Sequence, residues 1–296
     1  MSLLSSNLKA FEKISESHEK QKTIRTALIL ERALWKCSTG DISGRNDLES
    51  FIIAQPGHPR ENEARLALAA ACVDITPPDI ILAKAQLEII SSRLTDELNQ
   101  FSITRIGIRA EELAQDWPAA IKIAESFISN FPKSSHVPTI MLKRGAALYH
   151  NEDFNASRRA FQELTKSFPK SPFTTYADFY AAMAARLGGT TQSREECIQM
   201  FPKIIDSSHP LSNEASIQQC RVLIDLRRYK EAEKNLTPLK KSKLASIRRD
   251  AGILLADCLH RQGTTDNKKY EEAINIYNTL LKDCLLYTSP SPRDRG

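Results

Sequence analysis

The chain has 296 residues, a formal net charge of +5, 41% hydrophobic and 26% charged residues, and only 10 glycines. This balance supports a packed core and excludes a low-complexity or collagen-like polymer, and no apolar run approaches the roughly 20 residues that a membrane-crossing helix needs. Helix-favouring residues dominate and period-2 alternation is missing, so the fold class is predicted as all-α. The six cysteines have no short paired spacing and mostly apolar neighbours, as at Cys72, Cys220 and Cys258, which predicts buried small hydrophobes rather than a disulfide framework.

Leu8, Phe11 and Ile14, then Ile24, Leu28, Ala33 and Leu34, recur at three- and four-residue intervals, which predicts two amphipathic helices before the break at Ser38-Thr39-Gly40. Residues 1–46 are read as N-terminal helices, a degenerate repeat or the tail of one. Asp47 is expected to cap a helix carrying Leu48, Phe51 and Ile52, which Pro56-Gly57-His58-Pro59 ends. An alanine-rich helix over residues 61–73 follows and stops at Thr76-Pro77-Pro78. Residues 79–115 hold more helical periodicity than one element uses, with a break at Ser91-Ser92 or at Ser102.

From Trp117 a repeat is legible. Trp117, Ala120 and Phe131-Pro132-Lys133-Ser134 are answered 37 residues later, at every mark, by Phe154, Ser157 and Phe168-Pro169-Lys170-Ser171. The aromatic-to-small pair returns at Tyr229 with Ala232 and at Tyr270 with Ala273, while Cys197 and Phe201 fill the small and aromatic places of a worn copy between Gly188 and Asp206. Two antiparallel helices of about a dozen residues cannot bury both apolar faces alone, so successive hairpins stack and share a core. Small residues mark the close crossings, with Gly145 and Ala181 as candidates in first helices and Ser157, Ala232 and Ala273 in second helices. The array is assigned to residues 47–283.

The order Gly145, Phe154, Ser157, Phe161, Pro169 resembles the tetratricopeptide repeat, which implies an α-solenoid of antiparallel helical hairpins wound into a right-handed superhelix. The Phe-Pro-Lys-Ser endings and the 37-residue period, against roughly 34 in the common form, are similar to tetratricopeptide proteins of the bacterial envelope, among them the lipoprotein of the outer-membrane β-barrel assembly machine and periplasmic cell-division coordinators. Three departures stand out. Ala124 replaces an aromatic, Leu244 stands where a proline would end the Tyr229 unit, and no lipoprotein cysteine lies near Met1. The resemblance implies a non-catalytic protein–protein interaction scaffold whose first helices line a concave surface for a peptide, a disordered segment or another subunit. Carried onto this chain, the contact positions are Leu142 and Tyr149 around Gly145, Asp178 and Ala182 around Ala181, and Arg221 beside Cys220. The rival reading is the sensor or regulatory half of a larger protein.

The segment from Cys284 to Asp294 looks like one translated frame of a sequencing-library adapter, so residues 284–296 are expected to be foreign and the repeat to be unfinished at Asp283. An unfinished repeat leaves Ile274, Ile276, Tyr277, Leu280 and Leu281 without a following hairpin, and self-association is expected. No export signal is present, which places the chain in the cytoplasm as written and in the periplasm or at the outer membrane if it begins at an internal Met.

Chemistry is sparse. No nucleophile-and-base pair, carboxylate dyad or phosphate-binding glycine loop has useful spacing, and no cofactor is expected. The six histidines are scattered, and Cys258 and His260, two apart on a helix, point to different sides, so no shared metal is expected. Asn155-Ala156-Ser157 and Asn235-Leu236-Thr237 match the glycosylation pattern but fall on helices and are read as chance matches. Residues 221–249 carry ten basic residues against three acids, a local net of +7. That stretch suits an acidic partner, an anionic membrane surface, an RNA backbone or simply a solvated helix face. Nucleic acid is the least favoured because no stacking aromatics are interleaved, Tyr229 being assigned to the repeat core.

Overall fold

The computed structural model describes residues 22–288 except 208 and 265, with side chains from residue 24 to residue 282. Fourteen α-helices and no strand occur among the described residues, and no helix there is long and apolar enough to cross a membrane. The helix expected around Leu8 lies outside the described residues. The chain divides into two compact units, Met1–Asn151 and Glu152–Gly296. The first holds α1 (Lys22–Ser38), α2 (Ser43–Ala54), α3 (Glu61–Asp74), α4 (Ile80–Ser91), α5 (Glu97–Ala114), α6 (Trp117–Asn130) and α7 (Val137–His150). The second holds α8 (Phe154–Ser167), α9 (Thr174–Leu187), α10 (Thr191–Ile205), α11 (Ser212–Asp225), α12 (Tyr229–Leu239), α13 (Ala245–Gln262) and α14 (Asn267–Thr288).

Within each unit consecutive helices pack as hairpins, the odd-numbered helices being the first members and the even-numbered ones the second. First helices of neighbouring hairpins also touch, α1 with α3, α3 with α5 and α5 with α7 in one unit, and α9 with α11 and α11 with α13 in the other. Second helices of neighbouring hairpins do not meet among the described residues. A layer whose members pack closer lies on the inside of a bend, so the first helices form the inner layer of each unit.

The repeat register explains the core of the second unit. Ser157, Cys197, Ala232 and Ala273 are all buried where the second helices cross their neighbours. Four residues further along sit Phe161, Phe201 and Leu236, each fully buried. In the first unit Ala120 and Ala124 are fully buried with Phe127, so the missing aromatic at Ala124 is supplied one turn later on the same face. Cys258 is buried and its neighbour His260 exposed, a core thiol beside a surface imidazole.

A recurring turn joins first to second helices. Gln115, Glu152, Gly189 and Arg227 adopt positive φ values of 57°, 62°, 82° and 60°. Each is followed by a residue that opens the next helix, and three of those four accept a capping bond. Asp116 accepts from the Ala119 amide at 3.1 Å, Asp153 from Ala156 at 3.0 Å and Thr190 from Ser193 at 3.0 Å. These caps satisfy backbone donors that the first helical turn leaves open. Replacing Asp153 by alanine is expected to cost about 1 kcal/mol, read as a lower urea midpoint with an unchanged denaturant slope.

Several boundaries differ from the sequence reading. Asp47 is not a cap: α2 begins at Ser43, four residues earlier, and Asp47 faces α1, where it accepts from Lys36 at 2.7 Å. Gly44 allows that close approach, since a Cβ there would lie 2.8 Å from the Cys37 backbone nitrogen. The boundary between residues 46 and 47 therefore falls inside a helix that pairs with α1. The break in residues 79–115 lies between α4 and α5, after Ser91, and Ser102 sits within α5 with its hydroxyl donating to the Leu98 carbonyl at 3.1 Å. The proline missing at Leu244 stands earlier, at Pro238 in the last turn of α12. Helix α14 runs through Thr288, and residues 289–296, the rest of the adapter-like segment, lie outside the described residues.

Candidate partner-binding face

The inner layer of the second unit presents three parallel stripes. On α9, Tyr176, Tyr180, Met183 and Leu187 follow one another at helical spacing. Tyr176 is 39% exposed and Tyr180 43%, Leu187 is exposed as well, and Met183 is partly buried between them. The opposite side of α9 is built from buried Ala177, Ala181, Ala182, Ala184 and Ala185, whose short side chains let neighbouring helices approach and turn the large ones outward. Both tyrosines are braced. Tyr180 stacks on Phe161 at 5.8 Å between ring centroids and Tyr176 meets His209 edge to face at 4.9 Å.

On α11 the matching stripe is polar: Glu214, Gln218, Arg221 and Asp225. Gln218 donates to Glu214 at 2.8 Å, and Arg186 of α9 binds Asp225 at 3.2 Å, which ties the two stripes side by side. Gln218 Oε1 and Arg221 Nε are buried without a hydrogen-bond partner among the described residues. On α13 the stripe is Asp250, Leu254, Asp257 and Arg261, and the Arg261 guanidinium is held above its usual range by its hydrogen bond to Asp257.

The residues singled out from the sequence are distributed differently. Leu142 and Tyr149 lie partly buried on α7 of the first unit, where Tyr149 packs edge-on against His150 at 5.8 Å and His150 stacks on Trp117 at 4.7 Å. Asp178 is on α9, but its carboxylate accepts from Lys203 of α10 at 2.6 Å and serves as a tie within the hairpin. Ala182 is a correction. It is fully buried and its carbonyl accepts from the Cys197 thiol at 3.0 Å, so its side chain offers nothing to a partner. The register explains this: Ala177, Ala182 and Ala185 occupy the same places in α9 as Ala215, Cys220 and Leu223 in α11, so the close-packing residue is Ala182, equivalent to Gly145 and Cys220, rather than Ala181. Arg221 lies partly buried on the α11 stripe. Tyr176, Tyr180 and Leu187 were not foreseen. Their signal was a helix with alanines on one side and large apolar residues, spaced by three and four, on the other.

Residues 140–171, spanning most of α7, all of α8 and the Phe168-Pro169-Lys170-Ser171 ending, match the family model for the tetratricopeptide repeat. A tetratricopeptide repeat protein from Parabacteroides merdae superimposes with a TM-score of 0.59 at 12% identity, covering 87% of this chain and 92% of its own. The fold is of the tetratricopeptide-repeat type. A signal-transduction ATPase (STAND) with a tetratricopeptide repeat sensor from Pyrococcus horikoshii matches with a TM-score of 0.58 at 15% identity over 94% of this chain and 45% of that one. The C-terminal part of a tetratricopeptide repeat-containing protein from Cytophaga hutchinsonii matches with a TM-score of 0.52 at 15% identity, covering 93% and 96%. No curated protein matches the sequence. In tetratricopeptide terms the stripes of α9, α11 and α13 belong to the first helices of consecutive hairpins of the second unit. Among the described residues no group of three or more His, Cys, Asp or Glu side chains is placed to hold a metal ion.

Proposed function

We propose that the protein is a non-catalytic interaction module that binds a peptide or an extended segment of a partner across the first-helix stripes of α9 and α11. The observation that carries this reading is the exposed Tyr176–Tyr180–Leu187 stripe on the inner layer. Tyrosine supplies large contact area at low conformational cost and is enriched where binding energy concentrates. The adjacent polar stripe of α11, with Glu214, Gln218 and Arg221, favours the same place because it sets hydrogen-bonding and charged groups beside the tyrosines. Peptides selected from a random displayed library on the full chain are expected to lose at least tenfold in affinity on Tyr180→Ala and to change less than twofold on Ile81→Ala, an exposed residue of α4. Equal losses in both variants, or none in either, would refute the reading.

A part in bacterial envelope assembly is the narrower form of this proposal and rests on the Phe-Pro-Lys-Ser endings; fractionation of the native host, with the protein in neither the periplasm nor the membrane, would remove it. The sensor half of a larger regulatory protein is a second reading. It draws on the ATPase whose repeat sensor shares this fold while this chain covers 45% of its length. Self-association belongs to the proposal as well: Ile274 and Leu281 on α14 are 56% and 60% exposed, and Ile253 on α13 is exposed too. Sedimentation velocity is expected to show concentration-dependent association that Leu281→Glu weakens, and a monomer at every concentration would contradict it.

A further inference from the structure

The local charge of residues 221–249 is not compensated inside the fold. All three acids of that stretch are already engaged: Asp225 with Arg186 at 3.2 Å, Glu231 with Arg228 at 2.6 Å and Glu233 with Lys269 at 2.9 Å. Three of the five arginines are engaged too, leaving Arg221 and the exposed Arg227 without an ion pair among the described residues. Arg228 is held between Glu195 and Glu231, Arg248 donates to the carbonyls of Ser242 and Lys243 at 2.8 and 2.9 Å, and Arg249 lies 3.5 Å from Asp250. What remains is a row of exposed lysines, Lys230 and Lys234 on α12 and Lys240, Lys241 and Lys243 in the turn that follows, with no ion pair among the described residues. The turn leads into α13, whose N-cap Leu244 makes no side-chain cap and whose first turn carries no acid. Lysines gathered beside the positive end of a helix dipole repel it and one another. The C-terminal end of α12, which Lys240 and Lys241 follow directly, offsets part of that cost for those two, and the mutual repulsion of the lysines is left.

We propose that Lys230, Lys234, Lys240, Lys241 and Lys243 form a docking surface for an acidic segment of a protein partner. The ten residue steps from Lys230 along α12 to its C-cap Lys240 rise about 15 Å, the reach of about five residues of extended chain. A short run of Asp and Glu therefore matches the row in length and sign. An acidic peptide fits better than nucleic acid for two reasons. The row itself is made of lysine point charges rather than the arginine forks suited to bidentate phosphate contacts. No exposed aromatic lies among residues 227–249 on which a base could stack. This surface lies on a second helix and its turn and is independent of the first-helix face proposed above.

The test uses the full chain with fluorescein-labelled decaglutamate, a neutral Gly-Ser decapeptide, and twelve-nucleotide single-stranded and duplex oligonucleotides, followed by anisotropy. Decaglutamate is expected to bind at least tenfold more tightly than the neutral peptide at low salt and to weaken at least tenfold in high salt. The triple variant Lys240→Glu/Lys241→Glu/Lys243→Glu is expected to lose at least tenfold, and the triple glutamine variant to lose a smaller but measurable part. Tyr180→Ala is expected to leave decaglutamate affinity within twofold, so that failure of this surface and failure of the first-helix face are read separately. Affinity unchanged by charge reversal would overturn the proposal. Tighter binding of either oligonucleotide than of decaglutamate at equal salt would overturn it in favour of a nucleic-acid surface.

Discussion

Replacing Phe161 with alanine is expected to lower the unfolding free energy by about 3–5 kcal/mol. Among the described residues Phe161 and Phe201 are the two largest fully buried side chains; Phe161 stacks on Tyr180 of the following helix and Phe201 meets Phe179 of the preceding one. A cavity there is felt on both sides because neighbouring hairpins share one core. The repeat itself predicts the milder substitution: Leu236 fills the equivalent place in α12, so Phe161→Leu is expected to cost about 1 kcal/mol. Urea unfolding of the two variants measures the difference. Equal losses would mean that the site collapses around whatever it is given. Because Phe161 also braces Tyr180, the alanine variant is expected to weaken peptide binding in addition.

Stability is expected to fall steeply above pH 9. Burial pushes the thiols of Cys197, Cys220 and Cys258 from an ordinary value of 9.0 up to about 12, and that of Cys72 up to about 11. In the unfolded chain these thiols ionise near 9, while in the folded chain they keep their protons, so the folded state binds more protons between roughly pH 9 and 12. Their contribution is fully present below pH 9 and is lost as pH rises through that window. Each thiol contributes a slope of about 1.4 kcal/mol per pH unit, so the three in the second unit together remove about 4 kcal/mol between roughly pH 9.5 and 10.5. Urea midpoints against pH are expected to flatten in Cys197→Ala/Cys220→Ala/Cys258→Ala, which starts from a lower stability at neutral pH but keeps the titrating lysines and tyrosines. Parallel curves for the two proteins would show that the thiols do not carry the effect.

The all-helical repeat was legible because its marks are redundant. Aromatic, small residue and proline recur at a fixed spacing, and even the worn copy at Cys197 and Phe201 folds where that spacing placed it. Boundaries without such marks were harder to read. Asp47 has the composition of a cap, but a charged residue inside a helix looks the same in sequence, and only the packing of α2 on α1 through Gly44 decides between them. The turn built on Gln115, Glu152 and Arg227 was hidden for a related reason, since non-glycine residues at positive φ carry no reliable sequence signature. At the proposed face the sequence is ambiguous by one residue of helical register. A run of alanines offers several equivalent small positions, and choosing Ala181 over Ala182 rotated the inferred contact face by about 100°, away from Tyr176 and Tyr180 and onto Asp178 and the core.

The central claim is that the inner stripes of α9 and α11 receive the partner. Hydrogen–deuterium exchange of the full chain, with and without a selected binding peptide, tests it most directly. The account predicts slowed exchange concentrated in α9 and α11, with α10, α12 and α14 unchanged. Protection confined to those second helices, with α9 exchanging as in the free protein, would contradict it.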